Sequence, residues 1–412
     1  MSKNIDEKAA KKESNVFKNI ISLIGPGLIT AAVVMGPGSI TVSSSAGATM
    51  GYSILWAVVV AAIMMAMFSE MGSTIGLMSK QSFLQTVSSK YGNIVAIIIG
   101  LSGFLITTGF QTGNNIGVGL AFNAMFGGSV GTWAIVFTII ALTFLWVFSD
   151  IYNLLEKVMT FLVFVMIITF FGNLFIIKPD FGQLMKGFIP SKPEIFSLVI
   201  SISATTFSIA AAAFQAYIVR SKGWTKDDLK EGIKSSRIGI IILSLISMVI
   251  MITAATVLKP AGITINSAVD MAMQLEPLLG PAAKWMFLFG LWSAAFSSFL
   301  INAMIGGTFL ADGLGLGDTM DSKWAKIFAS GVMILGTIAA IVFGQNPIQL
   351  LVLAQGTTIF AVPLIAIVML LLANNEDLMK EYKNKTITNV ISVIAIVWLI
   401  FLSYNQLIAF IK

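Results

Sequence analysis

Apolar stretches of about 20 residues, the length at which an α-helix crosses a hydrocarbon core of roughly 30 Å, recur from one end of this chain to the other. Inside a bilayer the backbone has no water to bond, so such stretches must satisfy their own amides and carbonyls as helices. Hydropathy places eleven of them, at 20–49, 52–71, 92–125, 132–149, 158–177, 196–219, 238–258, 283–310, 327–344, 347–373 and 388–411. With 57% hydrophobic and 11% charged residues, and a mean hydropathy of +0.92, no separate soluble domain fits between them. The expected fold class is an all-α integral membrane protein, with an N-terminal tail at 1–19 and one transmembrane domain at 20–412. The first apolar run follows a lysine-bearing leader, but it is too long for a signal peptide and lacks a small-residue cleavage site, so it reads as a retained helix.

Charge orients the chain. With the N-terminus in the cytoplasm, 19 of the 25 Lys and Arg residues fall on inner segments and six (Lys178, Lys186, Lys192, Lys259, Lys284 and Lys412) on outer ones. That is the direction of the positive-inside rule, and it puts the C-terminus outside a multi-pass protein of the cell membrane. It also accounts for the formal net charge of +6 without nucleic acid as a partner. The partners expected are a lipid bilayer and a small solute, and no obligatory protein partner is inferred.

Cysteine and histidine are both absent. Disulfides, thiolate chemistry, imidazole ligands and the commonest general base go with them, so an intramembrane enzyme is excluded and no residue is given a catalytic role. No cofactor is expected. The inner connection "GWTKDDLKEG" reads as a short solvated helix capped by Thr225. Lys259 to Lys284 reads as an outer loop with an interfacial helix, and Asp312, Asp318 and Asp321 read as capping or solvated residues after the eighth span. Asp150 and Glu156 fall in another inner connection.

The stretch "VVMGPGSITVSSS", residues 33–45, interrupts the first span. Gly36 and Gly38 permit unusual dihedrals and Pro37 lacks an N–H. An unwound segment at membrane depth survives only where it faces protein or a water-filled cavity, so Gly36, Pro37, Gly38 and Ser39 mark a candidate binding site, with freed backbone groups near Thr41 and Ser43. Secondary transporters often pair two such discontinuous helices from inverted five-helix repeats. Here repeat one would span about 20–177 and repeat two about 196–373, leaving an extra helix at 388–411. The partner of the first break is then "ATTFSIAAAAFQAYIVR", 204–220, where Ser208 and Gln215 join the candidate site although neither Gly nor Pro signals a break. In the third span Gln111, Asn114 and Asn115 stand at i, i+3 and i+4, which puts three amides on one helical face as a polar pathway.

The chain resembles the NRAMP family of divalent-metal transporters, which have a leucine-transporter-type fold. The resemblance rests on "GPGLITAAVVMGPGSITVSSSAGATMGYSILW" (25–56), "GVGLAFNAMFG" (117–127), "NLLEKVMTFLVFVMI" (153–167) and "LAQGTTIFAVPLIAIVMLLLANNEDLMK" (353–380), and covers nearly the whole sequence. It implies alternating-access transport and metal transport. The family's motifs, however, are replaced. Its Asp-Pro-Gly-Asn aligns with Gly36, Pro37, Gly38 and Ser39, and its Met-Pro-His with Ser208, Ile209 and Ala210. A tenth-helix glutamine aligns with Ala361, although Gln355 is kept upstream, and the acidic pair of its third helix aligns with Gln111 and Asn114.

Transition metals want imidazole, sulfur or carboxylate partners, so no metal ligand is assigned. A neutral site of backbone amides, hydroxyls and side-chain amides suits instead a small carboxylate, an amino acid or oxoproline-like solute, held at half-helix N-termini. The alternative is a divalent cation, Mg²⁺ or Mn²⁺, of which Mg²⁺ keeps several waters. A non-transporting sensor of the same fold is a third reading. The coupling ion is left open between Na⁺ and H⁺, with Glu70 the candidate carrier for the latter, and uncoupled transport is equally compatible.

Overall fold

The computed structural model describes residues 35–147, 149–342 and 346–411, and every regular element among them is a helix. The tail expected at 1–19 and the first part of the first span lie outside the described residues. The helices of more than one or two turns are α1 (Pro37–Met50), α2 (Leu55–Met78), α3 (Phe83–Tyr91), α4 (Asn93–Phe126), α5 (Val130–Trp146), α6 (Ser149–Ile177), α7 (Phe196–Thr206) and α8 (Ile209–Ser221). They continue with α9 (Lys226–Val257), α10 (Ala282–Gly313), α11 (Lys323–Val342), α12 (Pro347–Thr357), α13 (Val362–Ala373) and α14 (Thr386–Ile411).

Among the described residues nine segments are long and apolar enough to cross a membrane, and α5 is a shorter apolar helix. α1 covers the second part of the first expected span. Two of the nine segments are interrupted. Phe207 and Ser208 separate α7 from α8, with ψ of 82° and 89° in place of helical values. A 3₁₀ turn, Thr358–Phe360, separates α12 from α13, and Pro363 stands in the first turn of α13. Proline suits that position because a first-turn N–H has no intrahelical acceptor. The first break is visible from its C-terminal side: Gly36 is extended, at φ −82° and ψ 170°, and Pro37 opens α1.

Small residues set the packing distances, as expected where lipid supplies no hydrophobic drive between helices. A methyl on Gly72 or Gly76 of α2 would stand 2.1 Å from the Ala212 carbonyl oxygen or 2.5 Å from that of Ala216, so α8 lies backbone-close along α2. Gly100 of α4 approaches the Phe309 carbonyl of α10 in the same way. At 34 residues, about 51 Å at 1.5 Å per residue, α4 outruns the bilayer core and contributes to both faces. The outward sides of α5, α11 and α14 expose Ile139, Ile338, Ile394 and Val397, the apolar rim a membrane requires.

Three readings of the connections change. Thr225 does cap a helix, through a reciprocal capping box with Asp228, but that helix is α9 itself, running unbroken for 32 residues into the seventh span. The Lys259–Lys284 loop, with its short helices Ala268–Ala272 and Glu276–Leu279, does not merely lie on the interface. Gln274 is fully buried; its side-chain amide donates to Ser44 Oγ of α1 (2.9 Å), and Asn173 of α6 donates to its backbone carbonyl oxygen (2.8 Å). Asp312 is not solvated. It is 3% exposed and accepts hydrogen bonds from Ser82 Oγ (2.7 Å), the Leu84 amide (3.1 Å) and the Tyr217 hydroxyl (2.6 Å). Capping alone would leave that carboxylate at the surface, whereas three donors from two other helices draw it inward. Asp318 pairs with Arg220 at 2.7 Å, Asp321 is exposed, and Glu70 pairs with Arg237.

Candidate functional site

A cavity of about 100 Å³ lies where the breaks meet. Gly36, Gly38 and Ser39 line it from the start of α1, Thr205 and Ser208 from the break between α7 and α8, and Phe110 and Asn114 from α4. Ser298, Ile301, Asn302 and Ile305 of α10 and Gln355 of α12 complete the wall with Ala211. At about 30 Å³ per liquid water the volume admits a few waters, or one partly dehydrated ion, or a very small organic solute.

Local structure leaves backbone N–H groups available beside the cavity. A helix leaves its first N–H groups without intrahelical acceptors. Those of α1 begin after Pro37, and those of α8 begin at Ile209, whose first turn closes when the Ala212 amide reaches the Ser208 carbonyl at 3.0 Å. Both helices therefore present the positive ends of their dipoles beside the cavity. No side chain caps either end. The carbonyls at the end of α7 face the same break.

Gln355 is the most constrained wall residue. Its side chain lies so close to two glycines that a methyl on Gly38 would stand 2.6 Å from its Cδ and Nε2, and one on Gly113 2.2 Å from Nε2. It is 2% exposed, and its carbonyl oxygen has no hydrogen-bond partner in the protein. A buried orphan acceptor costs on the order of 1–3 kcal/mol, a deficit that a bound water, cation or N–H group removes.

The amides of α4 divide by role. Asn114 lines the cavity and donates to Gln111 Oε1 at 3.4 Å. Gln111, fully buried, donates to Asn115 Oδ1 (3.2 Å) and accepts from Asn302 Nδ2 (3.1 Å). Asn115 points away and donates to Thr138 of α5 (2.9 Å) and Thr337 of α11 (2.7 Å). A continuous neutral hydrogen-bonded chain thus leads from the cavity into the contact between α4, α5 and α11.

Of the candidate residues, Gly36, Gly38, Ser39, Asn114 and Ser208 come together at the cavity. Pro37 is buried against Gly117, and Gln111 and Asn115 stand behind Asn114. Gln215 is not in the cavity wall; almost two turns beyond Ser208, its Cβ packs 3.4 Å from the position a methyl on Gly72 would take. Thr205, Ser298 and Asn302 were not singled out from the sequence. Asn302 carried the signal that found Asn114, an amide inside an apolar span, whereas hydroxyls are too common in membrane helices to stand out.

No charged side chain lines the cavity. Among the described residues no group of three or more Asp, Glu, His or Cys is placed to hold a metal ion. The side chains on offer are neutral oxygens with amide donors beside them, a lining that suits hard, oxygen-seeking species better than sulfur-seeking ones.

Residues 27–409 match the family described as natural resistance-associated macrophage protein-like. A divalent metal cation transporter MntH from Caldanaerobacter subterraneus is 24% identical over 408 residues, covering 94% of each chain. That of Bacillus subtilis is 24% identical over 393 residues, 93% of this chain and 90% of the relative. In fold, a mutant of the Eremococcus coleocola manganese transporter superposes with a TM-score of 0.79 at 17% identity, over 96% of this chain and 89% of the other. Mhp1, a nucleobase-cation-symport-1 family transporter, superposes with a TM-score of 0.56 at 14% identity, over 94% and 90%.

Proposed function

Because this chain belongs to the Nramp family and is a multi-pass membrane transporter rather than an enzyme, we propose that it carries a divalent cation, Mg²⁺ or Mn²⁺, across the membrane by alternating access at the cavity between the helix breaks. The carrying observation is the family itself. Relatives named as divalent metal cation transporters align over more than nine-tenths of the chain, and the oxygen-lined cavity stands at the breaks where the family resemblance puts the metal.

The chemistry narrows the cation. Ser39, Asn114, Ser208, Asn302 and Gln355 offer oxygen and no sulfur or imidazole. A cation here keeps part of its water shell, with the wall bonding those waters and the orphan Gln355 oxygen facing the ion directly or through one of them. Mg²⁺ tolerates this best because it dehydrates reluctantly and is commonly held through waters, and Mn²⁺ suits carbonyl and water ligands too. Cd²⁺ and Zn²⁺ gain least from such a wall. The distribution of Lys and Arg supports a cytoplasmic N-terminus and an outside C-terminus.

One observation favours a second reading, a small carboxylate. The cavity holds no anionic side chain to offset a double positive charge, while two uncapped helix N-termini abut it. The same experiment separates the two. Purified protein in proteoliposomes is assayed for Mg²⁺, Mn²⁺ and Cd²⁺ influx with trapped indicators, and for uptake of labelled amino acids and oxoproline. Saturable Mg²⁺ or Mn²⁺ influx abolished by Gln355→Ala supports the cation reading. Saturable carboxylate uptake with no cation influx overturns it.

A further inference from the structure

Asp312 is the one buried charged side chain among the described residues, and the cavity does not use it. It ends α10, whose Asn302 lines the cavity ten residues earlier, about 15 Å back along the helix at 1.5 Å per residue. Tyr217 lies nine residues beyond Ser208 on α8, about 14 Å from the cavity by the same count. The two helices that wall the cavity on this side thus meet again at one hydrogen bond, Tyr217 hydroxyl to Asp312 Oδ2, 2.6 Å. Ser82, the N-cap of α3, and the Leu84 amide hold the same carboxylate from the connection between the second and third spans.

Between cavity and carboxylate the space is filled by rings. Tyr217 stacks on Phe214 at 5.3 Å and packs on Phe309 at 5.8 Å and Phe83 at 6.5 Å. This plug is drawn from α8, α10 and α3. Besides these contacts α8 packs along α2, through Gly72 and Gly76, and against α13, and the chain break at Phe207 and Ser208 separates it from α7. One turn further, Arg220 pairs with Asp318 at 2.7 Å, about one-third exposed on each side and therefore weaker. A buried carboxylate accepting three hydrogen bonds is a stronger tie than any apolar contact beside it.

We propose that the Asp312 carboxylate, by holding the Tyr217 hydroxyl, latches the α8 half of the broken sixth span to α3 and α10 and so governs access to the cavity from this face of the membrane, the one the charge distribution assigns to the cytoplasm. The latch rests on the transport reading only in taking the cavity as the place where solute waits. Opening this face requires the bond to break; closing it requires the bond to re-form. Asp312 acts through α8 and touches no solute.

The chain has no cysteine, so Ile305→Cys in the cavity wall supplies a single thiol. Its labelling by a membrane-impermeant maleimide is measured in right-side-out and inside-out vesicles. Tyr217→Phe keeps the ring and removes the bond. It is expected to raise labelling from the face bearing Ser82 and Asp318 about tenfold or more, the population shift equivalent to one charge-assisted hydrogen bond, and to lower labelling from the other face. Asp312→Asn should do the same; if it does not fold, Tyr217→Phe decides. Unchanged labelling at both faces, with or without a lower melting temperature, overturns the latch. The readout needs no solute, so a variant that labels as expected in a protein carrying neither cation nor carboxylate sinks the transport reading and keeps the latch.

Discussion

Gly38→Ala tests the central geometry of the site with one methyl group. Built on the backbone, that methyl stands 2.6 Å from both Cδ and Nε2 of Gln355 and 3.0 Å from Oε1, so the two side chains cannot share the space. Gln355 has no retreat on its other side, where its Nε2 already presses on Gly113. Either α12 moves outward or the amide swings into the cavity. Overpacking of this kind costs about 1–3 kcal/mol, partly offset by the roughly 0.5–1 kcal/mol that replacing a helical glycine returns. The net expectation is about 1–2 kcal/mol of destabilisation, seen as a lower melting temperature in detergent, with solute uptake reduced severalfold or more. The decisive comparison is the double variant. Gln355→Ala removes the obstructing atoms, so Gly38→Ala added to it should cost little or stabilise, giving a coupling of about 0.5–3 kcal/mol. Additive effects of the two substitutions, with uptake by Gly38→Ala unchanged, would refute the placement of Gln355 between the two glycines.

Other substitutions address the ligand and the scaffold. Gly36→Asp has room, since the nearest atoms to its Cβ would be Asn114 Oδ1 at 3.4 Å and Ser298 Oγ at 3.7 Å; a cation site should gain roughly tenfold or more in affinity by titration, about 1.4 kcal/mol, whereas a carboxylate site should lose its ligand. Asn115→Ala removes its bonds to Thr138 and Thr337, which keep their bond to each other, and takes the acceptor from Gln111 Nε2; it should lower stability by about 1–3 kcal/mol while leaving the ratio of Mg²⁺ to Mn²⁺ uptake unchanged, as read by competition. Gly72→Leu forces a side chain into the Ala212 carbonyl and should abolish folded, detergent-stable protein in size-exclusion chromatography, more than 3 kcal/mol being at stake at a backbone contact that has no slack.

Much of the architecture was legible because membrane helices advertise themselves. Spans came from hydropathy, the first break from Gly36 and Pro37, and the amide face of α4 from its i, i+3, i+4 spacing. The second break was harder to see. Phe207 and Ser208 carry no Gly or Pro, and what unwinds them is the tertiary setting, with Ser203 ending one helix and Ser208 opening the next. Gln215 was misplaced for a related reason: on a helix of alanines the only amide draws attention, yet it belongs to the face packed on α2. Asp312 was the largest misreading. An acidic residue at a helix end reads as solvated, and nothing local to it reveals that Ser82 and Tyr217, 230 and 95 residues away in sequence, converge on the same carboxylate.

Buried side-chain hydrogen bonds are dense between α4, α5, α10 and α11 and sparse around the helix breaks. Asn115 ties α4 to both α5 and α11, Thr138 bonds Thr337 directly at 2.6 Å, and Asn302 joins α10 to α4 through both Gln111 and the Thr107 carbonyl. Each of these bonds is buried or partly buried, and because the groups share partners the network holds the helices together as a unit. Where the resemblance to the Nramp family led one to expect an acidic pair on this face, amides make bonds that persist at any ordinary pH. They can fix α4 but cannot carry a net proton, so proton coupling in this chain cannot run through Gln111 and Asn114. The elements bearing the helix breaks are held differently. α8 is tied to α3 and α10 by one aromatic plug and one carboxylate, while apolar contacts join it to α13 and the glycines Gly72 and Gly76 bring α2 against it. A solute bound between Gly38, Ser208 and Asn114 therefore touches both regions at once, and its contacts are the ones that change when α8 leaves the Asp312 latch.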